Sequence, residues 1–173
     1  IFPHAPELPV TINGGYVMPA WYDILAMDVD RKVDAEQLRA SAAMVAELIR
    51  QERERGIASE NIILGGFSQG GAVAYELALS YPERLGGLFA LSTYFATADS
   101  IGLSEANRQL PVFIAHGRFD QVVAEHLGQA AAQKLQELGY EPEYHAYGME
   151  HSLCLEEIRD LDVFLAKRVA GAK

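Results

Sequence analysis

The stretch Asn61-Ile62-Ile63-Leu64-Gly65-Gly66-Phe67-Ser68-Gln69-Gly70-Gly71 decides the fold. Its first four residues are a short, mostly apolar run that predicts a buried strand, and the glycines end it. Behind it, Ala72 to about Ser80 reads as a helix that Tyr81-Pro82 stops. Between the two, Gly66-Phe67-Ser68-Gln69-Gly70 matches the pattern G-x-S-x-G. In a chain with 15 glycines the bare pattern is weak. The flanking strand and helix supply the context it needs. In that context a sharp, strained turn lifts the serine hydroxyl above the sheet edge and aims the first amides of the next helix at the same point. Such a turn admits only small neighbours, and Gly66 and Gly70 are read in that role.

Working outward, strand and helix alternate. Upstream, Leu38, Ala42, Val45, Leu48 and Ile49 recur at helical spacing after Asp34, and Gly56 stops that helix. The residues before about 25 read as irregular, with Pro3, Pro6 and Pro9 close together and Asn13-Gly14-Gly15 as turn chemistry. Ile1-Phe2 reads as the end of a strand. Downstream, Leu85 to Leu91, Pro111 to Ala115 and Tyr144 to Tyr147 predict three more strands. Helices are predicted from about Ala124 to Leu138 and from about Leu155 to Val169. Continuously apolar strands alternating with helices define an α/β fold, a mostly parallel sheet with helices on both faces. In such sheets chemistry collects in the loops at the strands' C-terminal ends.

The composition sets the outer limits. A chain of 173 residues suits one domain, and 50% apolar with 22% charged residues is the balance of a soluble globular fold rather than a disordered chain. Fourteen basic against 24 acidic residues leave a net charge of −10, which repels phosphate backbones and anionic lipid headgroups. Nucleic acid and membrane surfaces are therefore not expected as partners. No apolar run approaches a membrane span, and no signal peptide is visible. The lone Cys154 cannot form an internal disulfide, so a cytoplasmic setting is expected. The five histidines are scattered without ligand spacing, so no metal site is expected.

A serine hydroxyl becomes a good nucleophile only beside a base that a third group orients. On this kind of sheet the order along the chain is serine, acid, histidine. Asp120 follows the third predicted strand in His116-Gly117-Arg118-Phe119-Asp120, and His151 follows the fourth in Gly148-Met149-Glu150-His151. Three loops on one sheet edge can converge. Other readings stay open: Ser68 as a turn serine, Asp120 as a cap for the following helix, and Asp99 as a rival acid. His116 and His145 lie in or beside strands, where a hydrogen-bonded structural role suits them. Cys154 reads as a small buried helix residue rather than half of a Cys–His dyad. Met18, Trp21 and Tyr22 before the first helix, Tyr94 and Phe95 after the second strand, and Leu153 beyond the histidine are candidates for an acyl pocket, or else pack the core.

Several phrases together carry a resemblance: Phe2-Pro3-His4-Ala5-Pro6, Pro19-Ala20-Trp21-Tyr22-Asp23, Gly65 to Gly71, His116 to Asp120, and His151-Ser152. They resemble the phospholipase/carboxylesterase family, which holds bacterial carboxylesterases and acyl-protein thioesterases. Pro9-Val10-Thr11-Ile12-Asn13-Gly14-Gly15 looks like the bacterial carboxylesterase branch. The resemblance implies an α/β-hydrolase fold, a triad of Ser68, Asp120 and His151, and an oxyanion donor at the Gln69 amide. It implies hydrolysis of a small carboxylic ester through an acyl-enzyme, with no cofactor. An acyl-protein thioesterase or lysophospholipase-like activity is the alternative, and a catalytically impaired, assembly-forming fragment is a further one. Family members carry a segment ahead of the Phe-Pro-His-Ala-Pro phrase that holds strands and a second oxyanion loop. The chain is thus expected to be one N-terminally incomplete domain over 1–173, with a vacant sheet position that favours self-association or an N-terminal partner segment.

Overall fold

The computed structural model describes residues 1–26 and 32–170, the side chains of the last two excepted. Four strands form one parallel sheet in the order β3 (Ile63–Phe67), β4 (Gly87–Leu91), β5 (Val112–Gly117), β6 (Glu143–Tyr147). Strand order follows chain order, so each crossover is a single step. Three of these strands begin one or two residues later than expected, β6 begins one residue earlier, and β3 and β5 end three and two residues later. The boundaries move because pairing partners, not local hydropathy, decide where a ladder starts.

The strand pleat sorts the core. Leu88 and Ala90 of β4, with Val112 and Ile114 of β5, face a large apolar cluster. That cluster is closed by α1 (Ala35–Glu54), α2 (Gln69–Ser80) and α3 (Glu125–Glu137). The alternate residues Leu91, Phe113 and Ala115 face a smaller cluster under α4 (Leu155–Ala170), completed by Leu161 and Phe164. Both faces therefore carry helices, which is why β4 and β5 read as unbroken apolar runs. Helix α2 lies sandwiched between α1 and the sheet, and nine consecutive residues from Gly71 to Leu79 are buried. Asp34 caps α1, its carboxylate accepting from the Glu36 and Gln37 amides.

The N-terminal part departs from the irregular reading. Glu7–Val10 (β1) and Tyr16–Pro19 (β2) pair as an antiparallel ribbon outside the main sheet. Its turn is a single 3₁₀ turn, Thr11–Asn13, followed by Gly14 and Gly15 at φ of 67° and 77°, values that favour glycine. A two-stranded ribbon consists of edges, so Pro9 and Pro19 fit where a central strand would reject them. Ile1 and Phe2 belong to no strand and are exposed. Among the described residues strand β3 has one neighbour, β4, and its other edge borders an apolar groove of about 580 Å³ lined by Leu48, Ile49, Ile62 and Phe67 among others. No helix among the described residues is long and apolar enough to cross a membrane.

Candidate active site

The site grows from the end of β3. Ser68 stands between β3 and α2 with φ 54° and ψ −125°, a conformation costing a non-glycine residue about 1–3 kcal/mol. Surrounding contacts hold it there. Its N–H donates to Leu91 O at 2.9 Å, and its own carbonyl accepts from Thr93 Oγ1 at 2.6 Å. A Cβ on Gly66 would lie 2.1 Å from the Gly70 carbonyl carbon, so Gly66 must be glycine for the turn to close. Gly70 differs from the sequence reading. A Cβ there would meet only Trp21 Nε1, at 3.8 Å, and it is the backbone of Gly70, not its lack of a side chain, that crowds the turn. Gly71 is constrained instead: a Cβ there would sit 2.5 Å from the Thr93 methyl group.

Three side chains converge above this edge. His151 Nε2 lies 3.1 Å from Ser68 Oγ, and His151 Nδ1 lies 2.6 Å from Asp120 Oδ2. A carboxylate only accepts, so Nδ1 carries the proton and Nε2 is left to accept from the serine hydroxyl. The Asp120 side chain is wholly buried, whereas that of His151 keeps 17% of its exposure. Asp120 also caps its own turn: Oδ1 accepts from the Val122 and Val123 amides at 2.9 and 2.7 Å. Oδ1 thus makes the turn-capping contacts that one reading of the sequence expected, while Oδ2 faces His151. The loops after β5 and β6 are joined, Arg118 N–H to Tyr147 O and Phe119 N–H to Met149 O. The Phe67 ring, tilted 44° with its centroid 4.6 Å from that of His151, supports the imidazole.

Gln69 has two functions in the local structure. As the first residue of α2 its backbone N–H is among the helix donors without an intrahelical acceptor. Its side-chain amide works elsewhere: Oε1 accepts from Trp21 N–H and Nε2 donates to Tyr22 O, both at 2.9 Å. This pins the segment after β2 to the serine turn. The hydroxyl of Ser41 donates to the Trp21 carbonyl from the α1 side. Neither this amide clamp nor Thr93 was visible in the sequence, since both act on backbone atoms across long separations.

The remaining candidates fall in different places. Trp21 is half-buried beside the turn and lines the groove along β3. Met18 lies on β2, where its sulfur accepts from Asn13 Nδ2 at 3.2 Å. Tyr94 is buried in the core with its hydroxyl 2.8 Å from that of Tyr22. Leu153 is half exposed on the loop after His151. Asp99 is exposed on its side of the molecule and pairs with Lys134 at 2.8 Å. Cys154 is not in a helix: it is half-buried immediately before α4, and its carbonyl accepts from Ile158 N–H. Among the described residues no group of three or more His, Cys, Asp and Glu side chains is placed to hold a metal ion.

A parallel sheet covered on both faces, with a serine on a strained strand-to-helix turn, has the α/β-hydrolase architecture. Residues 1–169 match the phospholipase/carboxylesterase family, and the chain belongs to that family of ester-hydrolysing enzymes. It is 40% identical over 179 residues to acyl-protein thioesterase 1 of Neurospora crassa, an alignment covering 98% of this chain and 73% of the relative. The crystal structure of Arabidopsis thaliana SOBER1 superposes with a TM-score of 0.90 at 32% identity, covering 98% of this chain and 83% of that one. Acyl-protein thioesterase 2 of Zea mays gives a TM-score of 0.82 at 28% identity, covering 96% and 79%.

Proposed function

We propose that this chain is an acyl-protein thioesterase, cleaving the thioester between a fatty acyl group and a protein cysteine through an acyl-enzyme on Ser68. The observation that carries the chemistry is the continuous hydrogen-bonded line from Ser68 Oγ through His151 to Asp120. The substrate class is favoured over small carboxylic esters by the extent and identity of the likeness to acyl-protein thioesterase 1. The same machinery accepts oxygen esters, so carboxylesterase activity is a second face of one site rather than a different enzyme.

In this mechanism His151 Nε2 takes the Ser68 proton as Oγ attacks the thioester carbonyl. Asp120 keeps the imidazole in the needed tautomer and stabilises its transient positive charge. The backbone N–H of Gln69, at the positive end of α2, donates to the developing oxyanion. Collapse of the tetrahedral intermediate breaks the C–S bond, and the departing thiolate takes the proton from His151. Water then enters, gives a proton to His151 and attacks the acyl-serine. Its collapse returns that proton to Ser68 and releases the fatty acid.

A fluorophosphonate probe tests the nucleophile, since only a base-activated serine is phosphonylated rapidly. The adduct is expected on Ser68 by mass spectrometry and absent from Ser68→Ala. A labelled serine elsewhere would overturn the assignment. Substrate class is read by comparing kcat/KM for an S-palmitoyl peptide and for p-nitrophenyl acetate. The thioesterase reading fails if the short ester is turned over and the acyl peptide is not.

A further inference from the structure

The buried imidazole of His116 is the strongest feature that the proposed mechanism leaves unused. It sits near the end of β5 with its side chain fully buried. Nε2 lies 2.8 Å from the carbonyl oxygen of Val123. A carbonyl accepts and never donates, so Nε2 carries the ring proton and Nδ1 is bare. That Nδ1 is buried and has no hydrogen-bond partner among the described residues. It faces α3 at Gly128, where a Cβ would lie 2.3 Å from it. The fold thus reserves space on a helix for this ring.

Val123 joins the ring to Asp120. It is fully buried, and both of its backbone polar groups are taken: the amide donates to Asp120 Oδ1 at 2.7 Å, and the carbonyl accepts from His116. The turn from 117 to 123 is therefore closed at both ends. With Oδ1 held by two amides, Oδ2 is the oxygen left for His151. His116 Nε2 stands 3.7 Å from that Oδ2, too far for a hydrogen bond, but it brings its N–H dipole to the carboxylate. Burial pushes the His116 pKa down, and the positive charge that His151 can carry adds to this. The Val123 carbonyl and the Asp120 and Glu125 carboxylates oppose it without reversing it. A ring kept neutral holds the turn without competing, as a cation, for the carboxylate.

We propose that His116 is a positioning residue for Asp120, clamping the Val123 carbonyl so that the 117–123 turn presents Oδ2 to His151 and to no other partner. The proposal rests on the triad reading above. A histidine that merely filled the core would be replaceable by a ring of similar size. A positioning histidine is not, because its N–H is what matters.

Three variants separate these roles: His116→Phe keeps a ring and removes the donor, His116→Gln places an N–H close to the position of Nε2, and Gly128→Ala displaces the ring. Each is read by kcat and KM on p-nitrophenyl acetate across pH and by the low-field Nδ1–H proton resonance of His151. Ser68→Ala and His151→Ala run alongside. Expected for His116→Phe is a fall in kcat of about 10–100-fold with little change in KM, as for a misplaced catalytic group. Its acid limb moves to lower pH, because the imidazolium loses a fixed carboxylate, and the low-field resonance weakens. His116→Gln recovers most of kcat and the wild-type pH profile, and Gly128→Ala shifts in the direction of His116→Phe.

Unchanged kcat, pH profile and resonance in His116→Phe would overturn the proposal. So would equal losses in His116→Phe and His116→Gln. If circular dichroism shows His116→Phe unfolded, the other two variants decide: the proposal stands if Gly128→Ala loses the resonance while His116→Gln keeps it, and falls on any other pairing. Full activity in Ser68→Ala would instead defeat the triad reading, a result distinct from all of these.

Discussion

Glu157→Gln is expected to stabilise the protein, and to do so only above mildly acidic pH. Glu157 occupies the first turn of α4, six residues beyond His151 in the chain, and has no exposed surface. Among the described residues neither carboxyl oxygen has a hydrogen bond of normal geometry. Burial pushes its pKa up from 4.5 to about 7, and the nearby Cys154 backbone amide opposes this only in part. Below about pH 4.5 the group is neutral in folded and unfolded chains alike, and the pKa difference costs nothing. Between that value and about 7 the unfolded chain releases the proton first, so stability falls as pH rises. Above about 7 the penalty is constant. Raising the pKa from 4.5 to about 7, at about 1.4 kcal/mol per pH unit, sets its ceiling at about 3–4 kcal/mol. The helix N-terminus favours an anion by about 0.3–1 kcal/mol and trims the gain from glutamine. Urea unfolding at pH 8 and pH 4 reads the effect: Glu157→Gln should exceed wild type by about 1–3 kcal/mol at the higher pH and match it at the lower. A difference independent of pH, or a less stable variant at pH 8, would refute the reasoning.

Asp120→Asn should fold normally and lose up to ~10⁴ in kcat, because an amide nitrogen facing Nδ1 selects the wrong imidazole tautomer. A variant retaining most of its turnover would show that another carboxylate orients His151. Among the described residues β3 pairs on one side alone, with an apolar groove along its other edge, and the chain is expected to self-associate through that edge. Light scattering over a dilution series checks this, and a monomer that persists into the micromolar range with cooperative unfolding would count against it.

Much of the sheet was legible because it follows rules local in sequence. The run ending at Leu64 and the glycines after it announce a strand and a sharp turn, and Leu38, Ala42 and Ile49 announce the buried stripe of α1. Asp120 and His151 could be placed because a parallel α/β sheet puts its loops on one edge. What stayed hidden depends on partners far along the chain. Thr93 and the Gln69 side chain bond to backbone atoms that no pattern points to. Gly128 looks like a weak helix residue until His116 is seen against it. The β1–β2 ribbon was concealed by Pro9 and Pro19, which signal breaks in a sheet interior but not at an edge.

The spacing of Ser68, Asp120 and His151 also bears on how the chain folds. They hang from β3, β5 and β6, whose parallel pairings each require a long crossover to close first. Such non-local pairings form slowly. The hydrogen-bonded line at the site therefore exists only after every crossover has closed and the strained turn at Ser68 has been forced into place. Recovery of probe labelling during refolding is then a clock for the last event rather than an average. Regain of helical signal should run ahead of it, in a population that is compact and spectroscopically helical but chemically silent.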